Sequence, residues 1–298
     1  MKQLRGSYTV MITPMKPDYS IDVDGLKRDI DWWIAEGTHG LIPMGSTGEF
    51  SSLEEDEHLL VLETTVKHAA GRVPVLAGTG AERTEKAVRL ARFAESVGAD
   101  ALMVVAPYYA LPTEDELFEH YRLIAEAVSL PIMVYNNPWT TGVDMKPHFL
   151  ARLNQIDNIL YCKESTFDVR RVRDILRLTD GRMQVFAGYL AYESYPLGAI
   201  GWVSVTANIA PRLSAQLFEA AVDRSDYVTA KRIYERLTPL VSYLEDTGKY
   251  VQIPKQALDW MGLAGGPPRR PRLPLNEQEQ AQLRQILSNL GVLQPVAV

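Results

Sequence analysis

The chain has 298 residues, 46% hydrophobic and 23% charged, which fits a globular protein with a large core and excludes a disordered one. Its net charge of −6 excludes the basic surface typical of a nucleic-acid binder, and its single cysteine, Cys162, excludes an intrachain disulfide or a cysteine metal cluster. No apolar run is long enough for a membrane span, and "MKQLRGSYTVMITPMKP" lacks the features of a signal peptide, so the expectation is a cytoplasmic protein with no membrane or nucleic-acid partner.

In chain order, short β-rich runs alternate with amphipathic patterns. Strands are expected at 6–14, 40–47, 73–80, 101–107, 131–138, 159–165, 183–189 and 201–208. Between them, segments such as "DVDGLKRDIDWWIAEG" and "ERTEKAVRLARFAESVG" repeat apolar residues at three- and four-residue spacing. Gly37, Gly71 and Gly98 close such helices, and Ser52 with Glu55 forms a capping box ahead of the second. Near-continuous apolar strands point to parallel pairing with both faces covered. Eight alternations over about 220 residues predict a (β/α)8 TIM barrel, ahead of an open doubly wound sheet. Gly78-Thr79-Gly80 does not complete a G-x-G-x-x-G, so a dinucleotide site has little support.

The barrel is expected over 1–223 and a C-terminal helical extension over 224–298, where only helical patterns remain. Within the extension, "GGPPRRPRLP", with Arg269, Arg270 and Arg272, reads as a solvated turn or connector, ahead of a phosphate or nucleic-acid patch.

In such a barrel the chemistry collects where strands run into the following loops. The polar strand ends are Gly45-Ser46-Thr47-Gly48-Glu49, Tyr108-Tyr109, Tyr135-Asn136-Asn137, Lys163-Glu164-Ser165, Gly188-Tyr189 and Ser204 to Asn208. Lys163 ends the apolar run Ile159-Leu160-Tyr161-Cys162. Strand alternation sends Lys163 to the barrel side with Tyr161 and Ile159, and Cys162 to the helix side as a small buried filler. Desolvation disfavours an ammonium there, and a neutral amine condenses with a ketone to give a Schiff base. The competing reading is a structural lysine paired with Glu164 or with a C-terminal carboxylate. The turn at 45–48 offers backbone N–H groups and two hydroxyls to an anion such as the carboxylate of a 2-oxo acid, or is simply a tight turn that needs glycine. Tyr135, on one strand face with Met133, is either a proton carrier or a packing residue. Of the five histidines, His39 precedes strand two and His58, His68, His120 and His148 fall on helical stretches, so no metal or other cofactor is expected.

Taken together, "GSTGEFSSL", "PYY", "YNNP" followed by Gly142, the strand-six lysine, "AGY" and "GWVSVTAN" resemble, over nearly the whole chain, the dihydrodipicolinate synthase / N-acetylneuraminate lyase family of Schiff-base aldolases. The resemblance implies that Lys163 is the Schiff-base lysine, and that Tyr135 is the proton shuttle, linked through Thr47 to Tyr109. It places Tyr109 in a neighbouring subunit's site, hence a homodimer or homotetramer. It gives Ser46 and Thr47 to the substrate carboxylate, with Gly188 and Val203 supplying backbone groups. Ser165 and Thr140 complete the substrate-binding candidates. Members of the family include aldolases, dehydratases and a deaminase.

Two positions depart from the pattern. Where dihydrodipicolinate synthases carry an arginine, two residues after the proline of "YNNP", this chain has Thr140, which cannot form a bidentate clamp on a carboxylate. Where sialic acid lyases carry an acidic pair, it has Tyr189-Leu190-Ala191. Trp139, Phe50 and Tyr189 are then candidates to line a smaller or less polar distal pocket, or are packing residues. The expectation is a metal-free lyase acting on pyruvate or a related 2-oxo acid. The alternatives are an authentic 4-hydroxy-tetrahydrodipicolinate synthase, a barrel that binds a 2-oxo acid without catalysis, and a metal-dependent barrel enzyme.

Overall fold

The computed structural model describes residues 4–293. All eight expected strands are present: β1 (Gly6–Val10), β2 (Gly40–Ile42), β3 (Leu76–Gly78), β4 (Ala101–Val105), β5 (Ile132–Asn136), β6 (Ile159–Glu164), β7 (Gln184–Ala187) and β8 (Gly201–Ser204). Each is shorter than the run that marked it, because the run continues into the loop that follows. After β2, for example, Pro43 lacks a ladder donor and Met44 turns to φ +59°. The strands form one parallel sheet in the order β2-β1-β8-β7-β6-β5-β4-β3, the (β/α)8 TIM-barrel class.

The helices between strands are α1 (Val23–Ala35), α2 (Glu55–Ala69), α3 (Thr84–Val97), α4 (Glu114–Glu126), the single turn α5 (Pro138–Thr141), α6 (Pro147–Leu153), α7 (Arg170–Leu178) and the single turn α8 (Ala191–Ser194). After β8 come α9 (Pro211–Phe218), α10 (Tyr227–Thr247), α11 (Gln252–Trp260) and α12 (Glu277–Leu290). Among the described residues no helix is long and apolar enough to cross a membrane.

The chain divides into two compact units. One comprises the residues up to Gly6 with Pro74–Val203. Here α3 and α4 present Leu90, Ala91, Leu117, Tyr121 and Ile124 as fully buried positions at helical spacing, each large side chain contributing about 2 kcal/mol of burial. Thr113 and Glu116 close the first turn of α4 in a capping box. Tyr121 donates its hydroxyl to the Val104 carbonyl at 3.1 Å. Cys162 is wholly buried, and burial pushes both its thiol and the Tyr121 phenol upward.

The other unit comprises Ser7–Val73 and the residues from Ser204 on. Asn208 joins β1 to the segment after β8: its side chain accepts from Ile12 N at 3.1 Å and donates to Val10 O at 2.9 Å. Its own carbonyl accepts from the indole of Trp33 on α1 at 3.2 Å.

Two expectations fail in this unit. The capping box of α2 is Glu54 with Glu57, not Ser52 with Glu55, because a 3-10 turn over Phe50–Ser52 uses up Ser52 before the helix begins. The "GGPPRRPRLP" segment is not a solvated connector. Arg269, its side chain 18% exposed, forms a bidentate pair with Glu57 at 2.5 and 2.8 Å and donates to Tyr19 O. Arg272 donates to Ser52 Oγ at 3.2 Å. A local pattern of Pro, Gly and Arg reads as a linker, since its acidic partner lies 212 residues away in the chain.

Candidate active site

Lys163 and Tyr135 are register partners on β6 and β5, so their side chains share one face of the sheet. Lys163 Nζ lies 3.7 Å from the centroid of the Tyr135 ring, and the residues are 6% and 5% exposed. Phe186 of β7 is the partner of Lys163 on the other side and meets Tyr161 edge-on at 6.1 Å. The Tyr161 hydroxyl accepts from Leu4 N at 3.2 Å. The amine therefore stands buried on an aromatic face.

Glu164 is not its counter-ion. It projects from the opposite face of β6, where Asn136 Nδ2 donates to its Oε2 at 3.1 Å and Arg171 lies 3.9 Å away. Arg171 forks onto Asp144 at 2.6 and 2.7 Å, and Asn136 Oδ1 accepts from Met145 N at 3.0 Å. This side-chain network ties the ends of β5 and β6 to the following loop and to α7. Arg171 holds the Asp144 carboxyl well below the usual carboxylate range, whereas burial raises Glu164. "YNNP" marked the position in the sequence, but only the fold supplies the partners of Asn136.

The Tyr135 hydroxyl accepts from Asn137 Nδ2 at 2.9 Å, which leaves its own proton available to a ligand. Ser165, 1% exposed, holds a buried hydroxyl with no protein partner. Gly188 crosses directly over it, and a Cβ at Gly188 would come within 1.8 Å of Ser165 Oγ, so only glycine fits. The Gly188 N–H is spent on Glu164 O at 2.8 Å, so its carbonyl is the group left to offer. Val203 is buried within β8. Thr140 belongs to the single turn α5 and donates weakly to Asn137 O at 3.4 Å.

Tyr109 stands apart, 87% exposed. Its loop is held by the Glu82 carboxylate, which accepts from the backbone N–H groups of Tyr108, Tyr109 and Ala110 at 2.8, 3.1 and 2.7 Å. Glu82 was not legible as a partner, lying 27 residues from Tyr109.

Four residues beyond Tyr135 and Lys163 stand Trp139 and Phe167, whose rings meet edge-on at 6.2 Å. Phe167 stacks on Tyr189 at 4.1 Å, forming an aromatic cluster that follows β5, β6 and β7. Phe167 was missed in the sequence because a single aromatic in a loop carries no pattern. Phe50 opens the 3-10 turn ahead of α2 and is half-buried.

In the other unit, Ser46 and Thr47 sit in a closed turn. Gly48 N donates to Gly45 O at 3.0 Å, Glu49 N to Ser46 O at 3.1 Å, and Thr13 Oγ1 to Gly48 O at 2.8 Å. A Cβ on Gly48 would meet Met44 N at 3.0 Å. Thr47 is 3% exposed and Ser46 half-buried.

A family model described as "Dihydrodipicolinate synthetase family" matches residues 3–290. Similar proteins include the 4-hydroxy-tetrahydrodipicolinate synthases of Pseudomonas syringae pv. syringae and Methanothrix thermoacetophila. Each is 40% identical over 292 residues, covering 97% of this chain and 99% or 98% of theirs. Among solved structures, the chloride-inhibited dihydrodipicolinate synthase from Acinetobacter baumannii, complexed with pyruvate, is 38% identical with a TM-score of 0.93, covering 98% of this chain and all of that one. A monomeric dihydrodipicolinate synthase variant is 30% identical with a TM-score of 0.91, covering 97% of this chain and 99% of that one.

Proposed function

The chain belongs to the Dihydrodipicolinate synthetase family, whose members are lysine Schiff-base lyases, and from that premise we propose how its own residues divide the work. The single observation that carries the reading is Lys163 Nζ, buried on an aromatic face 3.7 Å from the Tyr135 ring, while the adjacent carboxylate of Glu164 serves another network.

Lys163 condenses with the ketone of pyruvate or a related 2-oxo acid, losing water to form an iminium. The iminium accepts the electrons released when a C3 proton leaves, giving an enamine. The enamine then forms a C–C bond with an aldehyde, or the reverse sequence cleaves one; loss of water or ammonia from the substrate uses the same sink. Tyr135 carries the protons, joined through Thr47 to Tyr109 of a neighbouring subunit in a homodimer or homotetramer. Ser46 and Thr47 hold the substrate carboxylate, and Val203 and Gly188 offer backbone groups. The orphan hydroxyl of Ser165 supports its place beside the substrate. Composition supports a cytoplasmic enzyme.

The second substrate divides two readings. The names of the relatives favour 4-hydroxy-tetrahydrodipicolinate synthesis. Thr140 and the cluster of Trp139, Phe167 and Tyr189 favour a substrate whose distal part is apolar and carries no carboxylate to clamp, and this is the reading adopted.

Borohydride reduction in the presence of pyruvate, read by intact mass, is expected to add one reduced pyruvyl group to the wild type and none to Lys163→Ala. An unmodified wild type, or equal labelling of both, removes the Schiff-base assignment. With labelling established, kcat/KM for pyruvate with an apolar aldehyde is expected to exceed that with an aldehyde that carries a carboxylate; the opposite order returns the chain to 4-hydroxy-tetrahydrodipicolinate synthesis.

A further inference from the structure

The turn at 45–48 carries both hydroxyls assigned to the substrate carboxylate, and the residues on either side of it are backbone exceptions. Met44 and Glu49 adopt φ of +59° and +61°. Non-glycine residues stay in this left-handed region when their surroundings hold them there.

The hold on Glu49 acts through its side chain, which is fully buried. Lys255 Nζ, on α11, lies 2.6 Å from Glu49 Oε1. The backbone N–H of Arg269 donates to Glu49 Oε2 at 2.7 Å, and Arg272 Nη1 stands 3.8 Å from the same oxygen. Lys255 has a side chain only 1% exposed and also donates to Pro267 O at 2.9 Å, which fastens the strap leading to Arg269. At Gly265 that strap passes so near α11 that a Cβ would meet Lys255 O at 2.0 Å. Burial pulls Lys255 down from the usual lysine range, and Glu49 opposes the shift. A buried ion pair is weak evidence for stability, since packed apolar residues serve the core as well or better. The placement of this one is more informative, because the Glu49 N–H closes the turn on Ser46 O at 3.1 Å.

We infer that Glu49 is a positioning residue for the substrate-carboxylate turn, and that Lys255 and the 265–272 strap of the C-terminal extension hold it there. The chain of effect runs from Lys255 to the Glu49 carboxylate, to the backbone angles of Glu49, to its N–H on Ser46, and so to the two hydroxyls. This inference rests on the assignment of Ser46 and Thr47 to the carboxylate.

The test uses the full-length protein with Glu49→Gln/Lys255→Met, which removes both charges at nearly constant shape, and with Arg272→Ala, which spares the buried pair. The pyruvate concentration for half-maximal borohydride trapping is expected to rise roughly tenfold in the double variant and about threefold in Arg272→Ala, with kcat at saturation changing much less. Hydrogen exchange at the Gly48 and Glu49 amides is expected to quicken in parallel. Unchanged half-saturation and unchanged exchange in the folded double variant overturn the inference. Should the double variant not fold, unchanged values in Arg272→Ala overturn it. A wild type that never traps pyruvate defeats the Schiff-base reading instead, and amide exchange in the variants then decides the positioning claim alone.

Discussion

At the scale of single residues, the informative contact of Tyr135 is the one in which it accepts. Asn137 Nδ2 donates to the phenol oxygen, so the phenolic proton is directed elsewhere. Removing the hydroxyl takes away an acceptor worth about 1 kcal/mol, too little to unfold the chain. Tyr135→Phe is therefore expected to melt near the wild type and still form the pyruvyl adduct, while turnover falls by more than roughly tenfold. Steady-state rates with circular dichroism measure this, and near-normal turnover would end the proton-carrier role. Lys163 and Cys162 show how one position in a strand decides chemistry. Lys163 shares its face with Tyr135, whereas the neighbouring thiol, on the opposite face of β6, is wholly buried.

At the scale of elements, α1 is fastened to the end of α11 through one carboxylate. Asp29 is fully buried and accepts from Ala264 N at 3.0 Å, and its second oxygen has no partner. Burial, with smaller contributions from Asp22 and Asp259, pushes its pKa up to about 7, against the opposing Ala264 hydrogen bond and Arg28. Between the ordinary carboxyl value near 3.8 and about 7, the folded chain keeps a proton that the unfolded chain releases. Stability from this group is thus fully present at low pH and is lost as pH rises through that window, at up to about 1.4 kcal/mol per unit. Urea unfolding of wild type and Asp29→Asn, taken in steps from pH 4 to 8, should yield a difference that shifts in favour of the variant up to about pH 7 and then levels. A pH-independent difference would show that Asp29 is ionised in the fold.

At the scale of the whole molecule, Tyr109 bears on assembly. Tyr109 is 87% exposed on a loop pinned by Glu82, which is compatible with the proposed role in a neighbouring subunit's site. Mixing Tyr109→Ala with Lys163→Ala under conditions of subunit exchange is expected to restore about a quarter of wild-type activity, because half the dimers then contain one complete site. Two inactive parents that stay inactive when mixed, although mass spectrometry shows hybrid dimers, would return Tyr109 to its own chain.

The sequence by itself determined the eight strands, the helical tail and the lysine at the end of β6. Each is written in a local signal: a period of apolar residues, a glycine after a helix, a charge closing an apolar run. Only the tertiary structure decided what the charges do. Glu164 pairs with Asn136 and Arg171 rather than with the neighbouring lysine, Phe167 stacks on Tyr189, and the arginine-rich segment binds Glu57 and caps Glu49. Apart from Arg171, which follows Glu164 closely, those partners lie tens to hundreds of residues apart. Burial and hydrogen-bond geometry, which select one carboxylate among many, exist only once the chain has folded.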